Sequence, residues 1–408
     1  MTDPFSYLFA LEQFGIKFGL ENIGAIIARL GHPERAFRSV HVAGTNGKGS
    51  VTAMVDAAIR AAGHLSARYT SPHLIDLCER FVIGGRPVAS DRLTEAMSEV
   101  RAVVESLQRD GRLDVHPTFF EVTTAMAFVL FRRAQVETAV LEVGLGGRLD
   151  ATNVVVPEVA AITSIALDHE QYLGSSLREI AAEKAGIIKS GVPLVVGDLP
   201  ADALSVVETV ARERGATLMK ASMSDAARFR VGLRGTHQSA NAAVAIKVLE
   251  ILNARGLAIG ERAIAEGLAR PNWPGRLDLR TLADGRRVLL DAAHNPAGAA
   301  ALASYLVEQS MAGLPLVFAA MRDKDVDGML RAIAPSAGHI VVTRTSNPRS
   351  TDPEVLADEV RAIAPRLPRT VAATPAAALD VAWKLSNDIV VAGSIFLLGD
   401  VLKELGGT

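Results

Sequence analysis

Residues 39–51 hold the densest group of chemically competent side chains in the sequence, because a short apolar stretch gives way there to three glycines, a lysine and a serine. Glycines let backbone N–H groups turn inward, and the start of a following helix adds the positive end of its dipole. Lys48 would face the outer phosphates, and Ser50 could offer its hydroxyl to a phosphate or its Mg²⁺. The stretch is therefore predicted to bind polyphosphate.

The spacing of this loop departs from the common pattern G-x-x-x-x-G-K-[ST]. Two residues rather than four separate its first two glycines, and Gly49 stands between the lysine and the hydroxyl residue. A glycine-rich turn without function is the alternative. The order of strand, loop, lysine and helix favours the phosphate loop.

Polar residues also follow two further predicted strands, 138–141 and 159–165. Glu142 comes directly after the first strand and His169 shortly after the second. The carboxyl ends of parallel strands are where ligands bind, and hard cations need oxygen ligands, so Glu142 is a candidate for binding Mg²⁺. For His169 a structural role and a metal-binding role both stay open.

Two irregular segments are candidate ligand loops. Residues 144–153 are too rich in glycine for a helix and too polar for a core strand. Ser71 and His73 flank Pro72, which excludes a helix interior at that point. These two side chains could contact a metal or substrate, and a plain surface turn is the alternative.

Lys184 has unusual neighbours for a lysine. It lies in a predicted helix, 176–189, and shares a face with Ile180, Ile187 and Ile188. Either its stem runs along apolar surface towards water, or its amine is desolvated and chemically tuned.

Alternating strands and helices predict an α/β protein of two domains. Residues 1–282 form an N-terminal P-loop ATPase-type domain with a parallel-rich sheet, in which 90–109 and 123–133 are helices. A smaller Rossmann-like α/β domain, 288–408, follows a boundary near residue 282. Its parallel sheet is built from the predicted strands Val288–Asp291, Leu316–Ala320, Ile340–Thr343, Thr370–Ala373 and Ile389–Ala392.

Composition excludes several classes of protein. The 408 residues carry a net charge of -2, which leaves no electrostatic footprint for nucleic acid. No segment has the length and continuity of a membrane span, and the first residues lack the basic region of a signal peptide. The single cysteine, Cys78, excludes an intrachain disulfide and fits a reducing compartment. We expect a cytoplasmic monomer without nucleic-acid or membrane partners.

Eight motifs, in chain order, together resemble one family, the folylpolyglutamate synthase/dihydrofolate synthase family of the Mur ligase superfamily. The motifs are GTNGKGS at 44–50, SPHL at 71–74, LEVGLGGRLDATN at 141–153, TSIALDH at 163–169, EKAGI at 183–187, WPGR at 273–276, DAAHNP at 291–296 and VAGSIFLLGDVL at 391–402. The resemblance implies an ATP-dependent ligase that joins the amine of L-glutamate to a carboxylate of dihydropteroate or of a reduced folate. An acyl phosphate would be the intermediate, with ADP and phosphate as products.

The resemblance also implies roles for individual residues. Lys48, Lys184 and His294 are expected in catalysis. The residues expected to contact ATP are Asn46, Gly47, Lys48, Gly49, Ser50, Asn241, Arg276 and Asp291. The expected ligands of Mg²⁺, of which two ions are expected, are Ser71, Glu142, His169 and Lys184. The expected contacts of the pterin or folate are Gly19, Leu20, Glu21, Phe120, Glu121, Leu149, Asp150 and Ala151.

Two further expectations follow from the resemblance. Lys184 is expected to carry a carbamate, because apolar neighbours favour the neutral amine that adds CO₂, and the carbamate supplies oxygens that suit Mg²⁺. ATP is expected in a cleft between the domains, because the phosphate loop and Asp291 come from different domains. Closure would then limit turnover.

Two other functions stay open. A ligase of the peptidoglycan branch shares the phosphate loop, but that branch usually carries a separate N-terminal domain, for which 38 residues before the first strand are too few. A nucleotide-dependent switch without chemistry would have no use for metal ligands at two strand ends. The motifs leave open whether the acceptor is dihydropteroate, a folate or both.

Overall fold

The computed structural model describes residues 5–15 and 17–406, which divide into two compact units. The first contains the chain up to Ile165 together with Leu173–Gly232 and Ser239–Asn272. The second contains Ala166–Tyr172, Leu233–Gln238 and the chain from Trp273 onward.

The first unit is built on an eight-stranded sheet in the order β4-β3-β2-β5-β1-β6-β7-β8. Six neighbouring strands, β2 to β8 in that order, run parallel, and β3 and β4 add an antiparallel edge. Its strands are β1 (Arg38–Ala43), β2 (Ser66–Tyr69), β3 (Phe81–Ile83), β4 (Arg86–Pro87), β5 (Thr138–Glu142), β6 (Val159–Ile162), β7 (Leu194–Val196) and β8 (Leu218–Lys220).

Helices cover both faces of this sheet, so its central strands are nearly continuous apolar runs. The helices before Trp273 are α1 (Ser6–Ala10), α2 (Glu21–Arg29), α3 (Lys48–Ala61), α4 (Ser90–Arg109), α5 (Phe119–Arg133), α6 (Glu170–Leu173), α7 (Leu177–Ala185), α8 (Ala201–Glu213), α9 (Met223–Ala226), α10 (Thr236–Ala254) and α11 (Glu261–Ala269). One apolar cluster joins α3, α10 and α11 to β1. A second joins α2, α4 and α5 to β2 and β5, and a third joins α7 and α8 to β6 and β7.

The second unit contains a six-stranded sheet in the order β13-β12-β11-β14-β10-β9. Its strands are β9 (Asp278–Thr281), β10 (Arg287–Asp291), β11 (Leu314–Phe318), β12 (Ala337–Val342), β13 (Arg369–Val371) and β14 (Asp388–Ala392). Its helices are α12 (Pro296–Glu308), α13 (Val326–Ile333), α14 (Pro353–Ile363), α15 (Pro375–Leu385) and α16 (Ile395–Glu404). All five predicted strands are present.

The beginning of this unit differs from the prediction. Strand β9 pairs antiparallel with β10, so the sheet is not wholly parallel. Residues 282–286 form the turn of this hairpin, and the long continuous part of the unit starts at Trp273 rather than near residue 288. The predicted domain boundary near residue 282 falls in a polar turn, and this turn joins two paired strands rather than two domains.

Two predicted helices also have different ends. Helix α5 starts at Phe119 rather than at 123, because Thr118 and Glu121 form a capping box in which each accepts a backbone N–H from the other. Helix α7 ends at Ala185 rather than at 189, with Gly186 as its C-cap. Across residues 5–15 and 17–406, no helix has the length and apolar character that crossing a membrane requires.

Candidate active site

The loop between β1 and α3 has the geometry of an anion-binding turn. Gly47 caps α3 with a φ of 85°, a left-handed conformation that favours glycine. A Cβ at this position would lie 2.2 Å from Oδ1 of Asn241, so the glycine also lets that amide approach closely. The loop and Asn241, both predicted to contact ATP, are thus brought together in the first unit.

Two side chains that the ligand prediction omitted hold this loop in place. Thr163 donates a hydrogen bond from Oγ1 to the Asn46 carbonyl oxygen at 2.6 Å. Ser164 accepts the Asn46 N–H at 3.0 Å through Oγ. Both residues follow β6, and their polar character just beyond an apolar strand was the available signal.

Two lysines of the first unit converge on this loop. Lys48 donates from Nζ to the carbonyl oxygens of Gly44 and Thr45, at 2.9 and 3.1 Å. Lys184 donates from Nζ to the same Gly44 oxygen at 3.0 Å, with only 4% of the residue exposed. Its amine therefore points into the protein, and the alternative of a stem running towards water is wrong.

Glu142 lies at the end of β5, as predicted, and only 5% of it is exposed. Its Oε2 accepts the backbone N–H of Ser71 at 3.3 Å. Desolvation lowers the pKa values of two buried guanidiniums, Arg68 and Arg80, and the negative charge of Glu142 opposes this lowering. Glu142 and Ser71 thus form one polar site in the first unit.

A polar cluster in the second unit gathers at the ends of β10 and β11. Asp168 accepts hydrogen bonds from Lys324 Nζ at 2.7 Å and from Asn295 Nδ2 at 3.0 Å. The predicted metal ligand His169 also meets Lys324, with Nε2 3.0 Å from Nζ. His294 Nε2 lies 3.7 Å from Asp168 Oδ2. A cavity of about 110 Å³ borders this cluster.

The charges of this cluster have clear consequences for titration. Although desolvation opposes it, the cations around Asp168 hold the pKa of its carboxyl well below the usual range. Burial lowers the pKa of His294 to about 4, and Lys324 adds to the effect. His294 is therefore a neutral imidazole near pH 7. Within the described ranges, no three His, Cys, Asp or Glu side chains form a group that could hold a metal ion.

Asp291 and Arg276, both predicted to contact ATP, belong to the second unit. Asp291 ends β10 and accepts the Leu277 N–H at 2.8 Å. Burial raises the pKa of its carboxyl to about 6, against the opposing charge of Arg276. The guanidinium of Arg276 lies 5.9 Å from the Trp273 ring centroid.

Three of the eight predicted pterin-binding residues lie at one apolar cluster of the first unit. Leu20 and Phe120 both pack against it, and Ala151 is part of it. The Phe120 ring lies 5.9 Å from the Tyr69 ring and covers Gly144, where a Cβ would lie 2.6 Å from it. Gly19 and Glu21 flank Leu20 at the start of α2, and Glu121 caps α5.

The Asp150 carboxylate is hydrogen-bonded within its own loop. Its Oδ2 accepts the N–H groups of Gly144 and Leu145 at 3.0 and 2.9 Å. Its Oδ1 accepts both the N–H and the hydroxyl of Thr152. This carboxylate therefore shapes the 144–152 loop, and its contact with a pterin or folate stays a prediction.

His41, which sequence reasoning missed, extends this network into the sheet. Its Nε2 lies 2.8 Å from Thr152 Oγ1, and the Thr152 hydroxyl proton is already donated to Asp150. His41 must therefore be the donor, with its proton on Nε2. Complete burial lowers its pKa to about 3, which keeps the imidazole neutral.

Comparisons with known proteins identify the family. Residues 275–395 match the model of the Mur ligase glutamate ligase domain. The chain is 34% identical to the dihydrofolate synthase/folylpolyglutamate synthase of Bacillus subtilis, over 99% of this chain and 98% of that protein.

Solved structures give the same result. One is the Mycobacterium tuberculosis folylpolyglutamate synthase complexed with ADP and AMPPCP, with a TM-score of 0.91, 34% identity and full coverage of both chains. Another is Escherichia coli FolC in complex with DHPP and ADP, with a TM-score of 0.87 and 32% identity over 99% of this chain and 98% of that one. The chain therefore belongs to the folylpolyglutamate synthase/dihydrofolate synthase family of the Mur ligase superfamily.

Proposed function

We propose that this protein is an ATP-dependent ligase that adds L-glutamate to dihydropteroate, to reduced folates or to both. ATP would phosphorylate the acceptor carboxylate, and the glutamate amine would then displace phosphate from the acyl phosphate. The observation that carries the proposal is the phosphate loop with two lysines converging on it, in a chain similar over its whole length to folate ligases.

The phosphate loop would hold the nucleotide phosphates. Backbone N–H groups at the start of α3 favour negative charge, and Lys48 can leave its carbonyl partners to face the outer phosphates. Asn241, which closely approaches Gly47, would add an amide contact.

The residue types around Glu142 fit a hard cation, since its buried carboxylate lies beside Ser71. Glu142, Ser71 and a carbamate on Lys184, all in the first unit, would hold Mg²⁺, which when bound neutralises charge on the transferring phosphoryl group. For His169, which belongs to the second unit, the metal-binding role stays a prediction. As an amine, Lys184 cannot bind a cation. Its burial among apolar side chains favours the neutral form that adds CO₂.

His294 is suited to accept the proton that the attacking amine loses. Its Nδ1 lies 2.8 Å from the Ala292 carbonyl oxygen, which can only accept, so Nδ1 carries the proton and Nε2 has a lone pair. Since the imidazole is neutral near pH 7, it can act as a general base towards a bound amine.

Glutamate-dependent phosphate release from ATP tests the proposal. Dihydropteroate and tetrahydrofolate would be supplied as separate acceptors, and ligation with at least one of them is expected. Release with neither acceptor, or release that does not depend on glutamate, would reject the proposal. The ratio of the two rates assigns the acceptor class.

A further inference from the structure

Arg80 is a buried guanidinium that makes no ion pair with any residue in the described part of the chain. Only 8% of the residue is exposed. The other buried arginine of that part, Arg68, lies 3.5 Å from the Asp56 carboxylate. Burying a guanidinium with no carboxylate in contact is unfavourable, and the charges of Glu12 and Glu142 offset its lost hydration only from beyond ion-pair distance. Packing alone therefore does not account for Arg80.

The loop between β2 and β3 holds Arg80 in place. The Thr70 N–H donates to the Arg80 carbonyl oxygen at 3.1 Å. The Glu79 carboxylate accepts three consecutive backbone N–H groups at 2.7 to 2.9 Å, those of Leu74, Ile75 and Asp76. The loop is thus built without using the guanidinium as a cross-link.

The direct contacts of the guanidinium are with uncharged groups, while Glu12 and Glu142 act on its charge from further away. Its Nε donates to His73 Nδ1 at 2.9 Å, and its central carbon lies 5.0 Å from the Phe119 ring centroid. These contacts orient the group, since an aromatic face attracts a cation. Neither contact supplies a negative charge.

Arg80 also stands between two parts of the candidate site in the first unit. Phe119 precedes Phe120, whose ring is expected to contact the pterin. Ser71, in the same loop as Arg80, donates to Glu142 at the expected metal site. An acceptor with its rings at Phe120 and its reacting end at Glu142 would pass Arg80.

We propose that Arg80 binds the carboxylate of the acceptor, the group to which glutamate is joined. The inference rests on the proposed function and names the residue that recognises the reacting end of its acceptor. A guanidinium presents parallel N–H donors that match the two oxygens of a carboxylate. The bound carboxylate would also place a counter-charge in direct contact with the guanidinium.

A thermodynamic cycle that changes both the protein and the ligand tests whether Arg80 pairs with the acceptor carboxylate. Calorimetry would compare dihydropteroate with the analogue in which hydrogen replaces the carboxylate, on the wild type and on Arg80→Met. The wild type should bind the analogue at least about tenfold more weakly, as expected for a charge-assisted pair. Arg80→Met should bind both compounds with similar affinity. The same tenfold loss in both proteins would overturn the inference.

The thermal midpoint separates binding from structure. Because Arg80→Met removes a buried charge that no carboxylate contacts directly, its midpoint should equal or exceed that of the wild type. A cooperative loss of folding would instead assign Arg80 to the fold. Arg101→Met is the matched control, since Arg101 lies 4.8 Å from the Tyr7 ring centroid, and it should leave the cycle unchanged. If the wild type does not bind dihydropteroate, the proposed acceptor itself is wrong.

Discussion

Lys48 and Lys184 direct their side-chain amines at one atom, the carbonyl oxygen of Gly44, from 2.9 and 3.0 Å. Two ammonium groups so close would repel each other by about 3 kcal/mol at an effective dielectric constant near 20. Bound phosphate relieves this repulsion, and so does conversion of Lys184 to an anionic carbamate. The geometry thus supports the proposed carbamate on electrostatic grounds.

The first prediction is that Lys184→Ala keeps ATP binding but loses ligation, with partial rescue by short carboxylic acids that replace the carbamate oxygens. Calorimetry with ATP and a ligation assay measure the two properties. Carbon-13 NMR of the wild type in labelled bicarbonate should show a carbamate signal. An active Lys184→Met enzyme, or no such signal, would remove the carbamate from the mechanism.

The second prediction is that Glu142→Gln lowers kcat by at least about a hundredfold, because the variant would lose a proposed ligand of the Mg²⁺ that neutralises charge on the transferring phosphoryl group. The thermal midpoint should change little. Glu137→Gln is the control, since Glu137 directly precedes the same strand but is largely exposed at its other end. Near wild-type turnover of Glu142→Gln at saturating Mg²⁺ would contradict the metal assignment.

The third prediction concerns stability and pH at Asp291. Its pKa is raised from 3.8 to about 6, so the folded state binds the proton more tightly than the unfolded state. The wild type therefore loses stability at this site as pH rises from about 4 to 6, by an amount of the order of 3 kcal/mol. An asparagine side chain cannot ionise, so Asp291→Asn should not undergo this loss of stability.

Thermal midpoints of the two proteins between pH 4 and 8 test this. The midpoint of Asp291→Asn relative to the wild type should rise up to about pH 6 and then stay constant. The exposed Asp284 in the same hairpin is the control, since Asp284→Asn should show no such rise. A constant difference across the range would mean that Asp291 is already ionised at pH 4.

The fourth prediction is that His41→Leu frees the 144–152 loop, because it removes the donor to Thr152 and, through it, a support of Asp150. Hydrogen exchange of the loop amides should accelerate, and KM for the acceptor should rise more than KM for ATP. His41→Gln, which can still donate, should restore most of both properties. Val40→Ala on the opposite face of β1 should leave loop exchange unchanged even if it lowers global stability.

Local patterns allowed much of the fold to be predicted. The phosphate loop, the strand ending at Glu142 and the alternation after residue 288 each depend on a few consecutive residues. The β9–β10 hairpin was missed because strand pairing is a tertiary property, and the polar turn between its strands has the composition of a linker.

Residues of the candidate site could be predicted only where they belong to a recognisable sequence motif. Lys324 and Asp168 meet at 2.7 Å although far apart in the chain, and no spacing in the sequence indicates that contact. His41 was interpreted as part of an apolar strand, because the alternation of residues along a strand does not distinguish a buried histidine from a buried valine. The Lys324–Asp168 and His41–Thr152 contacts each join residues that are far apart in the sequence, so only the folded structure reveals them.

The Asp150 carboxylate, with its hydrogen bonds to the surrounding 144–152 loop, has a consequence for how quickly an acceptor binds. A loop ordered by internal hydrogen bonds loses little conformational freedom when a ligand arrives. Association should then need no slow folding step, and differences in affinity between acceptors should appear mainly as differences in residence time. In this way the carboxylate that orders the loop would set the kinetic character of recognition.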